Sequence, residues 1–368
     1  MNENRGSNWV CKFCGKTVST AYSFCVNCGA KRQEQTTWTC EKCGKPMLSA
    51  AFEYCIYCGA KKEPKRISEP QIKIPEIQSF AYEIKSYSIK VQDSAFTALC
   101  PDGYKIIGKI GSGGFSEVFK GIDENNRVVA LKFPKIKSSE TISENVFKRF
   151  LDEAKVWSKL KHSNIVEVYS YGVKPVPWIA MEFMDGGSLD DKLKNGPLNL
   201  KDALNIAIKI SDAIYFAHHH GVIHQDIKPK NILFDRQGNP KITDWGLSKV
   251  LLEESSITEF FEGTILCAAP EQLDPEHFGG VDWRCDIYGF GVTLFWMVTG
   301  RPPFYSDSIY TYLKKVMTEE PQFPCEINKY IPPELNDILR KLLAKNKENR
   351  YEDMALAKND LQSLLKKI

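Results

Sequence analysis

The stretch His224-Gln225-Asp226-Ile227-Lys228-Pro229-Lys230-Asn231 decides how the rest of the chain reads. It sets an acid, a cation and an amide at spacings of two and three residues. The acid, Asp226, can orient and deprotonate a hydroxyl. The cation, Lys228, can offset charge on a moving phosphoryl group, and the amide oxygen of Asn231 can hold a metal ion. Thirteen residues past Asn231 stands Asp244-Trp245-Gly246, a second carboxylate in a turn sequence. A phosphoryl transfer calls for this set of groups.

Working outward, the preceding segments alternate strand and helix patterns. Tyr104-Lys105-Ile106-Ile107-Gly108-Lys109-Ile110 reads as a strand leading into Gly111-Ser112-Gly113-Gly114-Phe115-Ser116-Glu117-Val118. Glycines there let backbone N–H groups approach phosphates. After a turn at Asp123-Glu124-Asn125-Asn126, Val129-Ala130-Leu131-Lys132 reads as the next strand. A helix is expected over roughly 144–160, because Phe147, Phe150, Leu151, Ala154 and Leu160 suit one helical face. Ile179 to Met184 reads as a buried strand, and Gly186-Gly187-Ser188-Leu189 as the start of a helix. A long buried helix is expected from Ala203 to His220. His218, His219 and His220 invite a metal reading, but adjacent helical side chains diverge. A helix end before the Gly221 turn is preferred.

Taken in order, these motifs resemble the protein-kinase catalytic core, over about 103–366. The resemblance implies an α+β, bilobal fold with a small β-rich N-lobe and a larger helical C-lobe. It implies ATP and Mg2+ as cofactors and proteins as substrates. Ile110, Gly111, Ser112, Gly113, Gly114, Phe115 and Ser116 would form the phosphate loop, with Ser116 replacing the third glycine. Val118 and Ala130 would cover the adenine ring, Leu233 would floor its pocket and Met181 would back it. Backbone at Glu182 and Met184 would hydrogen-bond adenine, while Lys132, paired with Glu153, would bind the α- and β-phosphates. Asp226 would be the base, Lys228 would assist the γ-phosphate, and Asn231 and Asp244 would ligate Mg2+. A lysine two residues after the aspartate is the Ser/Thr form of the motif.

The same resemblance assigns further roles. The segment 248–262 would be the activation loop, with Ser255, Ser256 and Thr258 as possible phosphosites. Thr264 would touch Asp226 and Lys228, Glu271 would pair with Arg350, and Asp286 would brace the catalytic loop. Three departures matter. Gln225 replaces an arginine that pairs with a phosphorylated loop; a neutral side chain cannot make that charge-assisted contact. Trp245 replaces a phenylalanine and adds an N–H that wants a partner. Cys267 stands where tyrosine is common and reads as a small packed thiol. Trp157 is bulky for its place, one turn past Glu153.

The amino-terminal part has a different logic. Of 12 cysteines, eight fall before residue 60, as Cys11-x-x-Cys14, Cys25-x-x-Cys28, Cys40-x-x-Cys43 and Cys55-x-x-Cys58, each pair followed by glycine. The region repeats: Trp9-Val10-Cys11 returns as Trp38-Thr39-Cys40, and Gly29-Ala30-Lys31 as Gly59-Ala60-Lys61. A Cys-x-x-Cys turn points two thiolates at one ion, and the glycine permits positive φ beside it. Units of this size cannot bury enough apolar surface to fold unaided, and zinc supplies about 10–16 kcal/mol of apparent folding free energy per site. Two Zn2+ ribbons are expected, at 9–30 and 38–60, resembling a double zinc ribbon. Cys11, Cys14, Cys25 and Cys28 would hold one ion, and Cys40, Cys43, Cys55 and Cys58 the other, because each repeat is complete in itself. Disulfides or redox pairs are the competing reading. Residues 61–102 read as a linker, broken by Pro64, Pro70 and Pro75.

The bulk numbers narrow the function classes. A net charge of +3 over 368 residues does not imply a nucleic-acid or membrane partner. Residues 1–66 carry 11 basic and 5 acidic side chains, a formal +6, which two tetrathiolate zinc centres at −2 each would cut to +2. The preferred role for the ribbons is docking of a protein partner or autoregulation, with nucleic-acid binding and a structural cap as alternatives. Met1-Asn2-Glu3-Asn4-Arg5 has no apolar signal core, and the apolar run near Ile287 to Val298 is short for a bilayer. A cytoplasmic location is expected. The leading function is a Ser/Thr kinase; the rival is a pseudokinase adaptor that binds nucleotide and partners without turnover.

Overall fold

The computed structural model describes residues 100–113, 116–135, 144–245 and 265–368, together with four short strands between residues 8 and 47; for 144–149 it describes the backbone alone. The eight ribbon cysteines, Gly114, Phe115, the segment 246–264 and nearly all of the expected linker lie outside the described residues. The chain divides into two units, Met1–Lys62 and Glu63–Ile368.

In the first unit, β1 (Asn8–Val10) pairs antiparallel with β2 (Thr17–Ser19), and β3 (Trp38–Thr39) with β4 (Pro46–Met47). The two hairpins repeat each other. In both, the sequence joining the strands contains Cys-x-x-Cys-Gly.

The second unit opens with β5 (Tyr104–Ser112), β6 (Ser116–Asp123) and β7 (Val128–Pro134). Helix α1 (Glu144–Trp157) follows, then β8 (Val168–Gly172) and β9 (Trp178–Glu182). The strands form one antiparallel sheet in the order β5-β6-β7-β9-β8. Strand side chains alternate between faces. Val129, Leu131 and Phe133 of β7 therefore share one face, where they are buried with Phe119 and Ala180 in a single apolar cluster. Ala130 and Lys132 fall on the other. Helix α1 ends at Trp157, short of the expected Leu160. The indole of Trp157 is buried and donates to Val166 O at 2.9 Å, so its bulk and its N–H are both accommodated.

Ser188 starts the second layer. Its hydroxyl accepts from Asp191 N, and the Asp191 carboxylate accepts from Ser188 N, a reciprocal cap for α2 (Leu189–Leu193). Asn199 caps α3 (Leu200–His219), the long helix expected from Ala203. A hairpin of β10 (Ile232–Phe234) and β11 (Pro240–Ile242) follows. The remainder is helical: α4 (Pro270–Leu273), α5 (Pro275–Phe278), α6 (Arg284–Thr299), α7 (Ile309–Thr318), α8 (Pro324–Ile327), α9 (Pro333–Leu342) and α10 (Met354–Leu365). Helix α6 is buried on nearly every side, and two glycines let it run close to its neighbours. A Cβ on Gly291 would lie 2.7 Å from Leu342 Cβ, and one on Gly289 would lie 2.9 Å from Ile227 O in the catalytic stretch. Among the described residues, no helix is long and apolar enough to cross a membrane.

One buried group works against stability. Among the described residues the Lys345 ammonium has no hydrogen-bond partner, and it sits 4.1 Å from the Phe304 ring centroid. Burial pushes it down to about 8, despite the opposing pull of Glu320. A lysine whose folded value is depressed makes the folded state less stable at neutral pH, because the unfolded chain takes up the proton more readily. Lys345→Met is therefore expected to raise stability at pH 7 by about 1–3 kcal/mol. The advantage should shrink as pH rises from about 8 towards the ordinary lysine value of about 10.4. Chemical denaturation of both proteins at pH 7 and pH 10 measures it; a variant less stable at pH 7 would refute the account.

Candidate active site

The β10–β11 hairpin gathers the groups that were expected to act together. Ile232 faces Ile242 in its register, so Asn231 and Thr243-Asp244 leave the same open end. The Thr243 N–H donates to Asn231 O at 3.0 Å and closes that end. Asn231, the last residue of a single 3-10 turn, donates through Nδ2 to the backbone and side-chain oxygens of Asp226, both at 2.9 Å. Lys228 Nζ lies 2.8 Å from Asp226 Oδ2. The other carboxylate oxygen, Asp226 Oδ1, is buried and has no hydrogen-bond partner. A buried acceptor left open is costly, and here it is poised to accept a proton or hydrogen bond from an incoming hydroxyl.

The catalytic stretch is held from three sides. Asp286, in the first turn of α6, accepts from His224 N at 2.8 Å and Gln225 N at 2.6 Å, as expected of a brace. The His218 imidazole adds a third contact, with Nε2 2.8 Å from Asp286 Oδ2. Burial alone would raise the Asp286 carboxyl, but the hydrogen bond and charge of His218, with His224, hold it below its ordinary value. His224 Nε2 lies 2.8 Å from Thr243 O, tying the stretch to the hairpin. Gln225 has φ +67° and Asp244 φ +65°, left-handed conformations that non-glycine residues adopt only when their surroundings enforce them.

Lys132 meets a carboxylate of the Asp244 turn. Its Nζ lies 2.7 Å from Asp244 Oδ1. The contact spans 112 residues. Burial would raise the Asp244 carboxyl, but Lys132, then His224 and Lys228, outweigh it and hold the carboxyl low. Asp244 is thus held as a carboxylate at neutral pH.

Four of the residues expected to bind nucleotide share one face of the sheet. Val118 faces Lys132 and Ala130 faces Met181 in the strand registers. With the alternation described above, these four share the face opposite the apolar cluster. The Glu182 N–H is already bonded to Glu167 O at 2.8 Å, and its carboxylate pairs with Lys241 at 2.7 Å. Leu233 lies at the centre of β10, bridged to Ser188. Ile110 is half exposed on β5, which also carries Gly111 and Ser112; Gly113 N accepts its place by donating to Ser116 O at 2.8 Å. An amide oxygen and a carboxylate, Asn231 and Asp244, fit magnesium that is shared with phosphate oxygens.

Trp245 is fully buried and packs edge-to-face on His224, with centroids 4.8 Å apart. Among the described residues its indole N–H finds no hydrogen-bond partner. Cys267 is buried, and burial pushes its thiol up to about 12, so it is an inert packed group. His219 and His220 turn to the Tyr215 and Phe216 carbonyls. Sequence reasoning missed two groups that shape the site. His218 was read as a helix end, and Gln272, which bonds both Ala269 and Gln225, was not singled out. Only its place directly after Pro270-Glu271 could have flagged Gln272.

Residues 104–361 match the family model described as the protein kinase domain. A probable serine/threonine-protein kinase of Clostridium perfringens is 35% identical over 268 residues, covering 72% of this chain and 38% of that protein. The serine/threonine-protein kinase PknB of Mycobacterium leprae is 33% identical over 269 residues, covering 71% and 42%. The serine/threonine-protein kinase PrkC of Bacillus subtilis is 36% identical over 255 residues, covering 68% and 38%. The chain therefore matches about two fifths of the length of these relatives.

Proposed function

The chain belongs to the protein kinase domain family, and from that premise we propose that it transfers the γ-phosphoryl group of Mg-ATP to serine or threonine hydroxyls of proteins. The observation that carries the reading is the Asp226 carboxylate. One oxygen is held by Lys228 and Asn231, while the other is buried and open. Asp226 orients the acceptor hydroxyl and takes its proton as the new oxygen–phosphorus bond forms. The bond between the γ-phosphorus and the bridging oxygen breaks, and ADP leaves with the electron pair. Lys228 offsets charge on the phosphoryl group in transit. Magnesium bound to Asn231 and Asp244 would neutralise phosphate charge.

Lys132 and Asp244 now neutralise each other. Phosphate oxygens at Lys132 and a cation at Asp244 would replace that contact. Glu153 is the carboxylate proposed to take over Lys132 when they do. Val118, Ala130, Met181 and Leu233 would enclose adenine, with Met184 N–H and the backbone of Glu182 along its edge. The rival reading, an adaptor that binds nucleotide without turnover, lacks an observation that favours it: Lys132, Glu153, Asp226, Asn231 and Asp244 are all present. The test is transfer of labelled phosphate from ATP to the protein itself or to casein. ATP binding with no transfer would leave only the adaptor.

The proposal extends to the first unit. Two zinc ribbons, each with four cysteines, would dock a protein partner of a cytoplasmic kinase. The repeat, the Cys-x-x-Cys-Gly spacing and the two matching hairpins support it. Elemental analysis of the purified full chain should find two zinc ions per chain, and one after Cys11→Ser with Cys14→Ser. A chain free of zinc, with the cysteines in disulfides, would end this part of the reading.

A further inference from the structure

Gln225 is an unusual residue to place before a catalytic acid. Its left-handed backbone turns its N–H and C=O to two different neighbours, and both are side chains from distant parts of the sequence. Asp286 takes the N–H at 2.6 Å, and Gln272 Nε2 donates to the carbonyl at 2.8 Å. The Gln272 amide is used at both ends, because its Oε1 accepts from Ala269 N at 2.9 Å. Gln272 lies in α4, beside Glu271, whose carboxylate is locked to Arg350. The amide thus bridges the stretch that enters α4, 47 residues away in sequence, to the residue that precedes Asp226.

We infer that Gln272 is a positioning residue, which fixes the direction of Asp226 by clamping the Gln225 carbonyl to the segment entering α4. The inference rests on the kinase reading. The clamp needs one donor and one acceptor on the same planar group, which glutamine supplies and glutamate at neutral pH does not. It is also neutral. An arginine at position 225 would tie the catalytic stretch to a phosphorylated loop through its own side chain. Here a backbone carbonyl and an uncharged amide make the tie, so it stands without a phosphate. Asp286 fixes one side of the Gln225 peptide and Gln272 the other. Loosening either lets the carboxylate of Asp226 swing away from the line of attack, and misplacement of that kind costs rate rather than nucleotide binding.

Two variants separate positioning from a plain capping role. Gln272→Glu keeps the acceptor for Ala269 N and places a carboxylate oxygen against the Gln225 carbonyl. Gln272→Met removes both contacts. A capping role alone would leave the glutamate variant like wild type and weaken only the methionine variant. Positioning predicts that both lower kcat, by about tenfold, with KM for ATP within about twofold of wild type, while Gln272→Glu melts with wild type. Amide hydrogen exchange at residues 225–227 should quicken in both, with or without ATP. A Gln272→Glu enzyme with wild-type kcat, or with unchanged exchange over 225–227, overturns the inference. If the wild-type protein transfers no phosphate, the kinase reading fails, and the exchange measurement by itself still decides whether the clamp exists.

Discussion

Asp226→Ala is expected to lower the rate of phosphoryl transfer by about 10²–10⁴-fold, the range over which a positioned general base acts. Nucleotide binding should survive, because the groups proposed to hold ATP lie on the sheet and on the hairpin ends. The geometry sharpens the expectation. Lys228 and Asn231 both contact Asp226 Oδ2, while Oδ1 is the open, buried oxygen. Alanine removes the acceptor for the hydroxyl and also releases Lys228 and Asn231. Asp226→Asn keeps the shape, but its NH2 must face either Lys228 and Asn231 or the incoming hydroxyl, and a neutral amide takes up no proton. It should therefore fail nearly as badly, which separates loss of charge from loss of volume. Single-turnover transfer with saturating ATP, alongside equilibrium binding of ATP, measures both. Transfer undiminished in either variant would show that Asp226 does not act on the hydroxyl.

Arg350→Ala is expected to cost about 3–5 kcal/mol of folding stability, the penalty for leaving one partner of a buried ion pair alone. Both side chains of the pair are fully buried, with Nη1 to Glu271 Oε1 at 2.5 Å and Nη2 to Oε2 at 2.8 Å. The rest of the guanidinium is also committed. Nε donates to Ala344 O at 2.9 Å and Nη1 to Arg284 O at 2.9 Å, and the group lies 5.0 Å from the Tyr288 ring centroid. Removing it leaves the buried Glu271 carboxylate without its cation and takes a donor from the carbonyls of Arg284, Ala344 and Lys345. The double variant Glu271→Leu with Arg350→Met should recover most of the loss, because an apolar pair of similar volume replaces the ions without an orphan. Denaturant unfolding of the three proteins tests this. An Arg350→Ala protein within about 1 kcal/mol of wild type, the worth of an exposed pair, would contradict it. Activity should fall with the single variant as well, since Glu271 anchors the helix that carries Gln272.

These expectations draw on information of two kinds. The spacing of Asp226, Lys228 and Asn231 brought their side chains together as expected, because a single 3-10 turn and one short hairpin suffice. The alternation in Val129-Ala130-Leu131-Lys132 likewise placed Ala130 and Lys132 on one face, since strand geometry has period two. The braces, too, were legible from the resemblance: Asp286 on the catalytic stretch and Glu271 on Arg350.

The choice of partner for Lys132 was not legible. Asp244 meets the buried ammonium across 112 residues, and sequence order alone does not announce that contact. It depends on where the Asp244 turn stands relative to β7, which is a property of packing. The same is true of the Trp245 N–H, which has no partner among the described residues: whether a carbonyl lies within reach of a buried indole depends on the elements around it. Gln272 is the clearest case, for a glutamine carries no pattern until its two hydrogen-bonding neighbours are in place. Sequence alone settled what chemistry the chain carries and in what order, because short-range covalent geometry fixes neighbours within a turn or a strand. Tertiary structure alone decided which of several competent groups meet, because contacts across 47 or 112 residues are set by how whole elements come to rest against one another.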